Sequence, residues 1–212
     1  MSADSFTSIV IPMLEGAQMT VLLFLIAIVV SIPLGFVLTL AVKSSNRPIA
    51  WLAHTYIYIM RGTPLLLQLL VICFGLPMLP GVRQFLVLDR FTAACLGFTL
   101  NYAAFFAEIF RGGLLAIDKG QYEASQVLGF SKWQTMTRII LPQMFRVVLP
   151  AVSNESITLI KDTALLYAVA VQTAVNRDFT IMPFFYAGII YLIMTLLLTV
   201  FFKWLERRFK FE

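Results

Sequence analysis

The sequence predicts an all-α integral membrane protein, with five transmembrane helices in a single domain and a segment of mixed polarity between the third and the fourth. Three observations carry this. Of 212 residues, 60% are hydrophobic and 13% charged, against about 45–50% and about 25% in soluble globular domains, so the apolar excess has to face lipid. Five apolar stretches fall at roughly residues 18–42, 55–79, 91–117, 145–171 and 184–204. Each meets the demand of a hydrocarbon core about 30 Å thick, which takes about 20 helical residues to cross. Basic residues, finally, crowd onto one side of those crossings.

The first span follows a polar stretch, Met1 to Gln18, that lacks a basic start. Its apolar run outlasts the ~7–15 residues of a signal-peptide core, so it is expected to be retained. Residues 43–50 form a short loop in which Pro48 stops the first helix. Arg61 heads the second span, where reaching to the nearby headgroups would place its charge, and its neighbours Gly62 and Pro64 mark a break or a tight helix entry. Residues 80–90 open on a Pro-Gly turn signal. Glu108 and Arg111 stand three apart at the end of the third span, the spacing of an ion pair that holds a helix terminus. Residues 172–183, closed by Pro183, lead into the fifth span. Cys73 and Cys95 both lie in apolar runs, without the spacing of a disulfide framework or a zinc site. No metal site is expected, and the only histidine, His54, reads as an interfacial residue beside Trp51 and Tyr56.

Five crossings put ten basic residues on one side: Lys43, Arg47, Lys119, Lys132, Arg138, Arg146, Lys203, Arg207, Arg208 and Lys210. Three, Arg83, Arg90 and Arg177, fall on the other. The positive-inside rule then places the N-terminus outside and the C-terminus in the cytoplasm. Net charge +5 is explained by this bias and by attraction to anionic lipid headgroups, and no nucleic-acid partner is expected.

Residues 118–144 are neither apolar enough to span nor polar enough to be disordered. Gln121, Glu123 and Gln126 alternate with Tyr122, Ser125, Val127 and Leu128 at near-helical spacing. Gly129 allows a turn, and Ser131 suits the N-cap of a second helix from Lys132. Trp133, Met136, Ile139 and Ile140 offer that helix an apolar stripe. Two short amphipathic helices bent at a glycine suit a membrane surface or a partner's groove.

This stretch resembles the EAA motif of permeases in ATP-binding-cassette importers. Glu123, Ala124 and Ser125 are followed at the motif's intervals by Gly129, Ile139 and Leu141-Pro142; Ser125 replaces the second alanine, and Phe130, next to Gly129, belongs with the expected coupling residues. Further stretches resemble the polar amino acid permeases of that family: Arg61-Gly62-Thr63-Pro64, the run Ala107 to Gly113, and, through the fourth span, Leu141 to Gln143, Leu149-Pro150, Asn154 and Lys161 to Thr163. The resemblance implies a type I ATP-binding-cassette importer permease of a bacterial cytoplasmic (inner) membrane, with residues 118–144 as a coupling segment. It implies a second permease subunit, either another copy or a paralogue, and a cytoplasmic ATPase dimer that holds ATP and Mg. It also implies an extracytoplasmic amino-acid-binding protein. The chain has no GxxxxGK[ST] loop, so no cofactor is expected on it and catalysis belongs to the separate ATPase.

An ionisable residue within a span costs about 2.5–3.5 kcal/mol on insertion scales, and the fourth span holds several. Glu155, Thr158 and Asp162 share one helical stripe, with Asn154 and Lys161 close by. That stripe is expected to line the translocation path, the alternative being that Glu155, Lys161 and Asp162 pair with one another or across a dimer. Pro150, one turn earlier, frees the carbonyl of Arg146. Arg61, Thr63, Pro64, Glu108, Arg111, Pro142 and Pro150 form a structural or gating set. Asn154-Glu155 resembles the pair found in relatives that handle basic amino acids, so arginine, lysine or histidine is the expected cargo, with glutamine, glutamate or cystine as the alternative. A passive channel or ion-coupled carrier for small polar solutes would share the buried charges but would not explain the spaced EAA segment. An intramembrane enzyme would need a nucleophile with a base, or clustered metal ligands, and neither is evident.

Overall fold

The computed structural model of the chain describes residues 3–79, 88–164 and 182–209. Helix α1 runs Ala3–Val42 and α2 Arg47–Gly62. Helix α3, Leu65–Met78, contains a π turn at Val71–Gly75. Helix α4 is Arg90–Ala116 and α5 Lys119–Val127. Helix α6, Lys132–Gln134, runs through a π turn at Thr135–Ile140 into α7, Leu141–Asp162, and α8 is Met182–Phe209.

Local chemistry sets these bounds. Pro48 stands in the first turn of α2, where its missing N–H costs nothing. Asp89 caps α4, its carboxylate accepting from the backbone N–H of Phe91 and of Thr92, each at 3.0 Å. Its hydrogen bonds, foremost the one from the Thr92 hydroxyl, hold the Asp89 carboxyl below the usual carboxylate range. This cap is in force above the unfolded-state pKa of an aspartate and is lost as pH falls through the lowered value.

Among the described residues three helices are long and apolar enough to cross a bilayer alone: α1 over Met13–Val42, α4, and α8 over Phe184–Phe209. The expected second span is different. It is two helices, α2 and α3, which pass the same test only together and are bent by 106°. The expected fourth span corresponds to α7 as far as Asp162, and α7 is helical without being apolar enough to qualify. Residues 165–171 of that span, like most of the two expected outer loops, lie outside the described residues.

Helix α4 is the hub: α1, α2, α3 and α7 all pack on it. Its Phe98, Tyr102, Phe106 and Phe110 are buried, in line with its small residues Ala103, Ala104 and Ala107. Association between helices in lipid depends on close backbone approach, and α1 meets α4 at Gly35. A Cβ there would lie 2.7 Å from the Phe106 Cβ and 2.9 Å from the Ala103 carbonyl. One turn on, the buried Thr39 hydroxyl shares its proton between the carbonyls of Gly35 and Ala107, both at 2.9 Å. Gly113 gives α7 the same access, because a Cβ there would overlap Val148.

Gly35→Ala is therefore expected to destabilise the chain by about 1–3 kcal/mol, the usual cost of overpacking a fitted contact. A Cβ on Gly112 meets nothing within 4 Å, so Gly112→Ala should be neutral or stabilising by up to about 1 kcal/mol. Thermal unfolding of the detergent-solubilised protein distinguishes the two.

Candidate translocation face and coupling segment

The break between α2 and α3 is built from Thr63 and Pro64, both in extended conformation, with ψ of 144° and 134°. Pro64 has no N–H to donate, so α2 ends with carbonyls left over. Side chains satisfy them. The Thr63 hydroxyl donates to the Ile59 carbonyl at 2.8 Å. The Gln68 amide donates to the carbonyls of Met60 and Thr63 at 2.9 and 3.1 Å and to the Thr63 hydroxyl at 2.7 Å. Asn101 of α4, 3% exposed, donates to the Met60 carbonyl at 3.0 Å and to the Gln68 side-chain oxygen at 3.1 Å. Asn101 escaped sequence reasoning. The signal was available, since an amide in the third span carries the burial cost that drew attention to the fourth.

Below the break, Arg111 grips Glu108 with three hydrogen bonds of 2.7–3.1 Å. Arg61 approaches the same carboxylate from α2. Its guanidinium stands 5.4 Å from the centre of the Phe105 ring and 3.7 Å from Glu108 Oε2. A cleft of about 430 Å³ opens here between α2 and α4, with His54, Tyr58, Arg61, Phe105 and Glu108 among its walls. His54 thus faces this cleft.

Helix α7 has a buried side and an open side. Ser153, Ser156, Leu159 and Ile160 are buried against the rest of the chain, whereas Asn154, Thr158 and Lys161 are exposed and Glu155 and Asp162 half-buried. Asp162 accepts a 2.7 Å hydrogen bond from the Tyr102 hydroxyl of α4. Glu155 and Lys161 form no ion pair among the described residues, where the ion pairs are those of Glu108 with Arg61 and Arg111. The mutual pairing of Glu155, Lys161 and Asp162 considered above is therefore not seen within the chain. Pro150 sits inside α7 without ending it.

The segment before α7 is a hook. Asp118 caps α5 through the Gly120 N–H. The far end closes in a Schellman motif: the Phe130 N–H bonds the Ser125 carbonyl and the Gly129 N–H that of Gln126, both at 3.0 Å. This geometry needs the left-handed backbone of Gly129, at φ 78°. Ser131 and Gln134 then form a reciprocal capping box. Buried Ser125 accepts from the Thr135 hydroxyl at 2.9 Å and so pins α5 to the next helix. Outward, Glu123 and Ala124 are exposed, and Val127, Leu128 and Trp133 are 88%, 73% and 76% exposed.

Two expectations change here. The second helix of the hook is not a short separate piece, because it continues through the π turn into α7. The expected apolar stripe also divides: Ile140 is buried and Met136 and Ile139 pack on the core, while Trp133 points away. The π turn, by inserting an extra residue, shifts the helical register between them. It ends where Leu141 bonds the Met136 carbonyl, next to Pro142, which has no N–H and crowds a regular α turn.

A helical bundle with three helices long and apolar enough to cross a bilayer, packed around α4, has the architecture of a multi-pass membrane permease. A family model described as "Binding-protein-dependent transport system inner membrane component" matches residues 31–211, and the chain belongs to this family. It is thus an inner-membrane permease subunit of an ATP-binding-cassette transport complex, which works with ATPase subunits and is not itself catalytic. The chain is 38% identical over 205 residues to the arginine transport system permease protein of Bacillus subtilis (strain 168), covering 93% of this chain and 92% of that one. It is 36% identical over 213 residues to the glutamine transport system permease protein of Escherichia coli (strain K12), covering 94% of both. A crystal structure of an amino acid ABC transporter with histidines superposes with a TM-score of 0.87 at 31% identity, covering 98% of this chain and 99% of that one.

Replacing Gln68 by Leu leaves the Thr63 carbonyl and the Asn101 amide without that partner. A loss of about 1–3 kcal/mol is expected, read as a lower unfolding temperature of the solubilised protein. Asn101→Leu should cost a similar amount, and the double variant less than the sum, because both single changes break the same network.

Proposed function

We propose that this permease imports polar amino acids and favours basic ones: arginine, lysine or histidine. The observation that carries the reading is Glu155, a carboxylate on the open face of α7 with no ion-pair partner among the described residues. A carboxylate without a fixed counter-cation favours a cationic ligand over a neutral one. Asn154, Thr158, Lys161 and Asp162 share that face and complete the substrate path.

In this reading the chain crosses the membrane five times with its N-terminus outside, as the distribution of basic residues requires. The polar face of α7 meets that of a second permease subunit, so that neither faces lipid. Glu123, Ala124, Ser125, Gly129 and Phe130 belong to the coupling segment, which inserts into a cleft of an ATPase dimer that holds ATP and Mg. Arg61, Thr63, Pro64, Glu108, Arg111, Pro142 and Pro150 shape or gate the path. An extracytoplasmic binding protein delivers the amino acid from the opposite side.

The test is uptake by the complete transporter in proteoliposomes. Glu155→Gln should lower arginine uptake at least about tenfold, the equivalent of one charge-assisted contact, while glutamine uptake, where present, changes little. Equal arginine uptake by variant and wild type would remove Glu155 from the substrate path.

A further inference from the structure

Resting on the amino-acid reading above, we propose that Arg61 binds the α-carboxylate of the transported amino acid. Every amino acid presents such a carboxylate whatever its side chain, and a planar cation with unused donors is its complement.

Arg61 fits that description by geometry. Glu108, its nearest carboxylate, is already held by Arg111 through three hydrogen bonds. At 3.7 Å from Glu108, Arg61 is too far for a hydrogen bond, so the guanidinium keeps its donor fork. Its side chain is 43% exposed, and it opens into the cleft of about 430 Å³. Cavities of roughly 300–1,000 Å³ commonly take small ligands, and an amino acid is at the small end of what this one admits. The Phe105 ring supports the guanidinium from one side. The planar fork of arginine matches a carboxylate with two parallel hydrogen bonds, which an ammonium cannot do.

Position adds a second argument. Arg61 lies two residues before the Thr63-Pro64 break, where Gln68 and Asn101 fix the backbone of α2. It reaches the cleft from α2, while Glu155 stands on α7, and both helices pack on α4. With its carboxylate on Arg61, an amino acid still has a cationic group to offer the acidic groups of α7. Arg61 would then serve any amino acid, and Glu155 would choose among them.

The test uses the purified permease–ATPase complex without its binding protein, which would read the carboxylate itself. Binding of arginine is compared with binding of agmatine, its decarboxylated counterpart, and binding of glutamine with that of 4-aminobutanamide. The wild type should prefer the carboxylated member of a pair by at least about tenfold. Arg61→Gln should abolish that preference by weakening only the carboxylated ligand. Arg61→Lys should keep part of it, which distinguishes lost charge from lost fold. A preference that survives Arg61→Gln, or a wild type with none, overturns the assignment. A complex that binds glutamine but not arginine, and loses its carboxylate preference in Arg61→Gln, refutes the basic-substrate reading and leaves Arg61 in place.

Discussion

A helix inside a bilayer can break only where other groups take over the hydrogen bonds it gives up, and this chain meets that demand at Thr63-Pro64. Gln68 and Asn101 replace the missing backbone donors. Because Asn101 belongs to α4, the repair also ties the bent pair α2–α3 to the hub helix. The close approach of α1 at Gly35 and of α7 at Gly113 fixes the remaining packing on α4. Arg61, Glu108, Tyr102 and Asp162 therefore project from elements that share one rigid reference.

Continuity between the hook and α7 gives the proposed mechanism a physical route. Thr135 bonds Ser125, and Gln143 bonds Gln121 at 3.2 Å, so α5 is fastened to the start of the helix that carries Glu155. In the proposed mechanism a push on the exposed tip, Val127 and Leu128, would pass from α5 through these bonds to α7. The π turn beside Pro142 is the place where that helix departs from regular geometry, and proline and π turns are recognised causes of helix bending. What moves is proposed to be this lever; what stays is the packing on α4.

Much of this was legible in the residues because it rests on local chemistry. Gly129 and Ser131 announce a turn and a cap, and the structure supplies a left-handed glycine and a reciprocal capping box. Apolar length found α1, α4 and α8. The Gly62 to Pro64 run signalled a break, but its 106° bend depends on what packs beside it, and no local pattern encodes that. Trp133 was placed on one apolar stripe with Met136, Ile139 and Ile140 at helical spacing, and a π turn breaks that spacing. The contacts of Arg61 with Glu108 and Phe105 were not legible, because both partners come from another helix. Tyr102, whose partner Asp162 lies on another helix, was invisible for the same cause.

The account stands on the hook around Gly129 being held by a cytoplasmic ATPase. Site-directed crosslinking tests this most directly, with Ala124→Cys, exposed on α5, introduced into the transporter in membrane vesicles and single cysteines scanned along the ATPase. The account predicts a permease–ATPase adduct whose yield changes between nucleotide-free and ATP-bound conditions. An Ala124→Cys thiol that reacts only with an impermeant reagent from the extracytoplasmic side, and never with the ATPase, would contradict it.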